Sequence, residues 1–564
     1  ILGVRALALQ VRVVAVNDQP ARAASVTTAD SARDLGRAHN AQAAFERSRR
    51  ALLPHGESSG GRCDVRLGRF CWWYDESTPT FPPESETIQA RRRELLAELD
   101  DMAARYPGDD WLAATRVHYR LDGRDTVAAD SVAATCRATG WWCSALAGYA
   151  AHARGNSARA DAAFAEAIAT RPEDVACAWR NIAPLLGGKD RDVYEAQTCD
   201  ERRASEARYW MLSRPQFSTE ANDWRNEFNT RRVLLWLGER AATPHLLTWG
   251  DDAAELVLRY GWPVAWSRFE TSSMGGTEPS IIGHDPSPSF AFAPSRWLAD
   301  SARTLAPDAW DLHEARSEAR YAPRQVRRTA GMVAQVARFR RGDSTLVVAA
   351  FAASDDSLMH PVAVLAVASD STIAVSAPDT ARAGTAHVAL HGAVWLVAAD
   401  VADSATRTLA RTRMTFAPPS DSSRLSLSDI LTYRGGDAPV TSLDSALALA
   451  IRGDTATRNR ALGLFWETYG LSSAGEPVDV SVSLERVDHS WIRSARQKLG
   501  LTPMDTPIKI RWTDAGASSE RGVGRGISLD LANLDAGRYR VTLTLAPEGA
   551  KAVSTTREVE LIDP

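Results

Sequence analysis

"CSALAGYAAHARGNSARADAAFAEAIATRPED", residues 143–174, reads as two helices folded back on one another. Apolar residues recur at three- and four-residue spacing on either side of Gly155, the pattern of two amphipathic faces joined by a turn. Gly148 and Ala160 are small enough to let the helix axes approach. Phe164 fills the gap between them, and Pro172 ends the second helix by removing a backbone donor. The same Ala-rich texture, punctuated by Gly, Pro and Asp, runs from about residue 30 to 210.

Gly148, Ala160, Phe164, Ala167 and Pro172 stand at the relative spacing of a tetratricopeptide repeat of about 34 residues, which this stretch resembles. The unit before it, "DDWLAATRVHYRLDGRDTVAADSVAATCRATG" (109–140), repeats the plan more loosely. There Gly123 mirrors Gly155, and Ala128 and Val132 mirror Ala160 and Phe164. The resemblance implies an α-solenoid over residues 25–205.

At 564 residues the chain is too long for one core and predicts several domains. A net charge of −4 and a pI near 6.3 give no electrostatic case for nucleic acid as a partner. No apolar run reaches the ~18–20 residues of a membrane helix. Residues 1–24 have a short apolar core ending in Ala21, Ala23 and Ala24. They admit two readings, a signal-peptide remnant or a mature strand, because Arg5, Arg12, Asn17 and Asp18 interrupt the run.

The six cysteines form three sequence-local pairs: Cys63 with Cys71, Cys136 with Cys143, and Cys177 with Cys199. An even count in neighbouring pairs predicts disulfides in an oxidising compartment. Zinc is the competing reading, but none of the pairs has knuckle spacing. In the helical frame, Cys136 and Cys143 flank an inter-helix turn. "GRCDVRLGRFCWWYDE" (61–76) then reads as a stapled loop whose Trp72, Trp73 and Tyr74 pack on the first helices or present a binding surface. Trp141 and Trp142 pose the same choice.

Residues 206–270 change character. A helix over Trp224–Trp236 carries Trp224, Phe228 and Leu235 with arginines between them, and "DDAAELVLRYGWP" (251–263) closes the segment. The "RYW" start, the "NEFNTRR" middle and the "LVLRYGWP" end resemble the bacterial GWxTD domain. The match rests on Arg259, Tyr260, Gly261 and Pro263, with Trp262 between them. The signature itself is replaced by "TWGDD" (248–252). The resemblance implies an exported protein in which helices precede the module and β-rich modules follow. It implies no reaction.

Residues 271–330 are rich in Ser, Gly and Pro and read as a loop or linker. From 331 the period changes to two. Short apolar or alternating runs such as "PVAVLAVAS" and "AVWLVAADVA" predict an antiparallel β-sandwich over 331–420. A connector (421–457) holds one short helix, and an immunoglobulin-like sandwich follows over 458–564. There "LDAGRYRVTLTL" (534–545) places a Tyr at the start of a strand, as in a tyrosine corner. The fold class is therefore multidomain α + β, with a solenoid, a mixed central module and two sandwiches.

Motifs of chemistry are sparse. The sequence has no HExxH helix, P-loop or EF-hand loop. His284-Asp285 is the most suggestive pair, and His387 and His391 share a strand face. Asp251-Asp252 suits a helix N-terminus. The arginine runs at 91–93, 231–232 and 340–341 read as solvated faces. The leading expectation is a non-catalytic interaction or scaffold protein of the bacterial envelope, secreted or periplasmic, with a protein or peptide partner and no cofactor or metal. A hydrolase with its site in 206–330 is the second reading. A carbohydrate binder using Trp395, Trp491 or Trp512 is the third. The cysteine reading is checked by thiol titration of native and denatured protein: none of the six should react without reductant, and six reactive thiols would exclude disulfides.

Overall fold

A computed structural model describes residues 28–55, 65–72, 83–246, 248–269, 280–285, 287–295, 304–305, 307–314, 317–369, 372–417, 425–471, 477–487, 507–515, 522–548 and 551–564. The first 24 residues, Cys63, Trp73, Tyr74 and Trp491 lie outside them. A helical N-terminal region is followed by a β-sheet-rich C-terminal region.

The helices are α1 (Thr28–Leu52), α2 (Glu86–Arg105), α3 (Asp110–Asp122), α4 (Thr126–Ala134), α5 (Gly140–Ala153), α6 (Ser157–Ala169), α7 (Glu173–Arg180), α8 (Gly188–Glu195), α9 (Cys199–Leu212), α10 (Asp223–Gly238) and α11 (Asp251–Tyr260). Their starts are written in the sequence. Ser85, Asp109, Asp125, Asn156 and Asn222 each accept a hydrogen bond from a first-turn N–H. Thr198 and Glu201 form a reciprocal capping box. Each such cap is worth about 1 kcal/mol.

The pair α5–α6 packs as its sequence demands. A Cβ added at Gly148 would stand 2.8 Å from the Phe164 ring, so only glycine permits this approach. Ala160, Phe164 and Ala167 are buried. The preceding pair, α3–α4, is shifted by one residue from the expected mirror. Asp125 and Asn156 are the equivalent caps, and they set the phase of the helices they start. Ala129 and Ala133, not Ala128 and Val132, therefore take the buried positions. Cys136–Cys143 joins the end of α4 to α5, and Cys177–Cys199 joins α7 to α9, with Cα atoms 5.6 and 5.9 Å apart.

Helix α10 is the hub. Asn226 donates to the Ser157 carbonyl, Asn229 accepts from the Trp179 indole, and Glu227 meets His152 at 2.9 Å. Arg231 donates to Glu227 and to the carbonyls of Leu258 and Arg320. The arginine runs are thus not simply solvated. Arg231 and Arg92 are buried, the latter between Glu84 and Asp122, because each guanidinium finds enough acceptors to offset its desolvation. Trp142 is also core, 4.3 Å from the Trp236 ring.

In the β region, one sheet orders the strands Ala383–His391, Ser344–Ala353 and Met332–Arg341. Another orders Arg328–Ala330, Thr408–Thr415, Leu396–Asp403, Val362–Ala368 and Ile373–Val375. Leu365, Val367, Val397 and Ala399 meet the first sheet in one core. Val364, Ala366, Leu396 and Ala398, one residue out of phase, meet the helical region in another. Burial on both faces explains why these strands read as unbroken apolar runs. The later strands form two further sheets that share a core around Trp466, Val480 and Val541. Among the described strands, Arg328–Ala330 pairs in parallel with Thr408–Ala410 and Thr455–Thr457 with Glu560–Ile562, so the sheets are not purely antiparallel.

Two expected boundaries change. The strand Leu431–Arg434, read as connector, pairs with Leu462–Tyr469 and belongs to the later sheets. Among the described residues of the stretch read as a linker, Phe290, Phe292, Tyr321 and Val326 are buried in the core that joins helices to sheet. Its aromatic anchors outweigh its Ser/Gly/Pro composition.

Polar groups seal the junction between the two regions. Asp400 accepts from Arg413 at 2.6 Å and from the Phe217 N–H at 2.7 Å, with both charged side chains at 1% exposure or less. Asp400→Ala, which strands a buried guanidinium, should cost about 3–5 kcal/mol in urea unfolding. The double variant Asp400→Leu/Arg413→Met should recover most of that loss.

Candidate functional site

A cavity of about 590 Å³ opens where the helices meet the segment after α11. Leu185 to Asp190 form one wall, at the start of α8. Tyr209 of α9 and Trp224 of α10 line it from the hub side, and Phe290–Ser295 with Glu314 and Ser317–Ala319 complete it. The aromatic rings come from core positions, so the packing that holds the helices together also fixes the floor. Trp224 is stacked on Tyr321, centroids 5.2 Å apart.

Charge in the lining is mostly negative: Asp190, Glu314 and Glu318 against Lys189. Glu318 is committed to Arg259, which donates to its carboxylate at 2.6 Å and also meets Glu255 at 3.1 Å. Gly187 leaves room for that carboxylate, since a Cβ there would collide with it. Behind Trp224 lies a buried polar network. Tyr321 donates to Asp223 at 2.6 Å. Burial works to raise the Glu227 carboxyl, but Arg231 and His152 outweigh it and hold it at about 2.

The residues singled out from the sequence are dispersed. Arg259 reaches the cavity through Glu318 without lining it. Tyr260 is buried, and Trp262 packs among Trp249, Trp266 and His118. His284 bonds Ser267 at 2.6 Å, and Asp285 accepts from the Ser287 N–H; neither lines the cavity. His387 and His391 lie on the exposed face of one strand, roughly 13 Å apart at ~3.3 Å per residue, too far for a shared ion. No group of three metal-ligating side chains occurs among the described residues. Trp395 sits half-buried under Arg208, and Trp512 packs toward Trp466. Asp190, Glu314 and Glu318 escaped sequence reading because only "LLGGKD" (185–190) marks the place, and a glycine pair signals a turn before it signals a site.

The cysteine hairpin finds its partner here. Val65–Leu67 pairs with Phe70–Trp72, and Arg69 at the turn makes a two-pronged bond to Asp252 at the start of α11. The Arg69 hydrogen bond holds the Asp252 carboxyl well below the usual carboxylate range. "TWGDD" is thus a docking point for residues 65–72. The Trp72 side chain is outside the described residues.

No family model matches the chain, and neither does any curated protein. Solved structures match only faintly. A family 123 glycoside hydrolase from Clostridium perfringens aligns at 12% identity and TM-score 0.14, over 24% of this chain and 27% of that one. Red sea bream transglutaminase aligns at 11% and 0.14, over 56% and 43%. The three N-terminal domains of the bacteriophage RB49 outer capsid protein Hoc align at 10% and 0.12, over 42% and 99%. The chain thus spans less than half of the hydrolase and of the transglutaminase. Likeness at this level defines no class for the protein.

Burial draws His118, His245 and His284 down to about 4, so each is a neutral base in the folded chain. Their unfolded counterparts titrate near 6.5. The stability tied to them is full above pH 6.5 and falls as the pH drops toward 4. Glu46, pushed up to about 7 by burial, acts in the opposite sense between pH 7 and 4.5. Burial also raises the Glu206 and Asp285 carboxyls, which act in the same sense as Glu46, so the histidine contribution is isolated by substitution. His245→Phe should flatten the pH dependence of the unfolding free energy from urea titrations by on the order of 2 kcal/mol over this window.

Proposed function

We propose that this chain is an interaction or scaffold protein of the bacterial envelope that holds a protein or peptide partner in the cavity between α8 and residues 290–319. In this reading the helices form a tetratricopeptide-like solenoid, residues 206–270 a GWxTD-like module, and the sheets two sandwiches, the second immunoglobulin-like. The cavity carries the proposal, because it combines an aromatic floor with backbone and carboxylate groups at its wall. Two disulfides at bonding distance support an oxidising compartment. The Gly148–Phe164 contact supports the repeat reading. The Tyr539 hydroxyl, donating to the Asp535 carbonyl at 3.0 Å, supports the immunoglobulin-like one.

A hydrolase using the same cavity is the second reading, favoured by Asp190, Glu314 and Glu318 sharing one lining. Cross-linked capture from an envelope fraction separates the two. The scaffold reading expects a specific partner that Ala319→Trp, which fills the cavity, fails to retain while its unfolding midpoint is kept. Equal recovery by both forms, or by neither, would sink it. Hydrolysis of an envelope-derived substrate that Glu314→Gln abolishes would favour the enzyme.

A further inference from the structure

A second cavity, of about 430 Å³, lies far along the chain in the β region and has the opposite charge character. Its lining includes Arg434, Arg452 and Arg460, the hydroxyl residues Thr385, Thr455 and Thr457, and no carboxylate among the described residues. The three arginines come from three separate segments. Arg434 ends the strand Leu431–Arg434, Arg452 follows the short helix Leu443–Ala448, and Arg460 precedes the strand Leu462–Tyr469. Backbone bonds bring the segments together: Arg434 N–H donates to Leu449, Gly435 N–H to Ala461 and Ile451 N–H to Thr432.

These guanidiniums stand apart from most arginines named above. Arg92, Arg231, Arg259 and Arg413 each have a carboxylate. Arg434, Arg452 and Arg460 make no ion pair and no side-chain hydrogen bond among the described residues, and all three are exposed. The carboxylate nearest in sequence, Asp454, is turned to Arg557 at 2.5 Å. Arg458, in the same loop, is taken by Asp563 at 2.7 Å. Local neutralisation thus stops short of the cavity, in a chain whose net charge is −4.

We propose that this cavity binds a ligand carrying two or more phosphate or sulfate groups. Planar guanidinium forks pair with such oxyanions through two parallel N–H donors. Three guanidiniums around one space carry more positive charge than the roughly −1.5 to −2 of one phosphate, and the volume exceeds that of one phosphate several-fold. The threonine hydroxyls add neutral donors, and the absence of a lining carboxylate removes the usual competitor. This site is independent of the partner cavity near α8.

Isothermal titration of the full chain with tripolyphosphate, and separately with a trisulfated disaccharide, tests the assignment and distinguishes the two oxyanion sources. At least one probe should bind, with affinity falling as sodium chloride is raised. Arg434→Gln, Arg452→Gln and Arg460→Gln should each weaken binding about tenfold. Arg538→Gln, whose arginine already pairs with Glu558, should leave it unchanged. Independently of any variant, the probe should slow hydrogen exchange in residues 447–461 of the unmodified protein. Failure of both probes to bind at millimolar concentration, binding that survives loss of all three arginines, or protection confined to other segments would each overturn the proposal.

Discussion

Asp400 and Arg413 form an ion pair closed off from water in the middle of an apolar junction. Arg411, two residues before Arg413 on the same strand, donates to the carbonyls of Arg214 and Pro215, and Arg413 also reaches Pro215. A turn of the helical region is thereby gripped by side chains of a β-sheet. The residues around these charges are Phe217, Phe292, Leu396, Ala398 and Leu409, which would slide without a directional contact. The hydrophobic effect supplies the attraction and has no direction; the buried charges supply the register.

This constraint propagates through α10. The core that meets the sheet includes Trp224 and Phe228, on the same helix whose Asn226, Glu227, Asn229 and Arg231 bind the neighbouring helices. A helix buried on nearly every side must satisfy each polar group it carries, so "NEFNTRR" is a list of hydrogen-bond commitments more than a solvent face. The cavity near α8 lies beside this hub. Its floor is core aromatic residues, and its wall is a turn held by Arg259 through Glu318.

Much of the architecture was legible in the residues. Cap residues and three–four periodicity marked the helices. Gly148 and Phe164 marked the closest helix contact, and local cysteine pairs marked the clips at 136–143 and 177–199. The change to period two marked where strands begin. The errors were local and had physical causes. A one-residue phase slip followed from aligning Gly123 with Gly155 when Asp125 and Asn156 set the phase. The stretch 271–330 looked like a linker because composition weights Ser, Gly and Pro equally, whereas packing is decided by a few aromatics such as Phe290 and Tyr321. The cavity carboxylates were not legible, since Asp190, Glu314 and Glu318 are far apart in sequence and ordinary in context.

The sequence alone marked the helical N-terminal region, the change to strands near residue 331 and the local cysteine pairs 136–143 and 177–199, because each depends on residues close together in the chain. Only the tertiary structure decided which charges are buried, that the helical region lies against the sheet through Asp400, Arg411 and Arg413, and that three arginines with no carboxylate partner among the described residues converge on one cavity. Those outcomes depend on what a side chain meets across the fold. Arg231 and Arg434 show the difference: the same residue type, one enclosed by carbonyls and a carboxylate, the other left facing an open space.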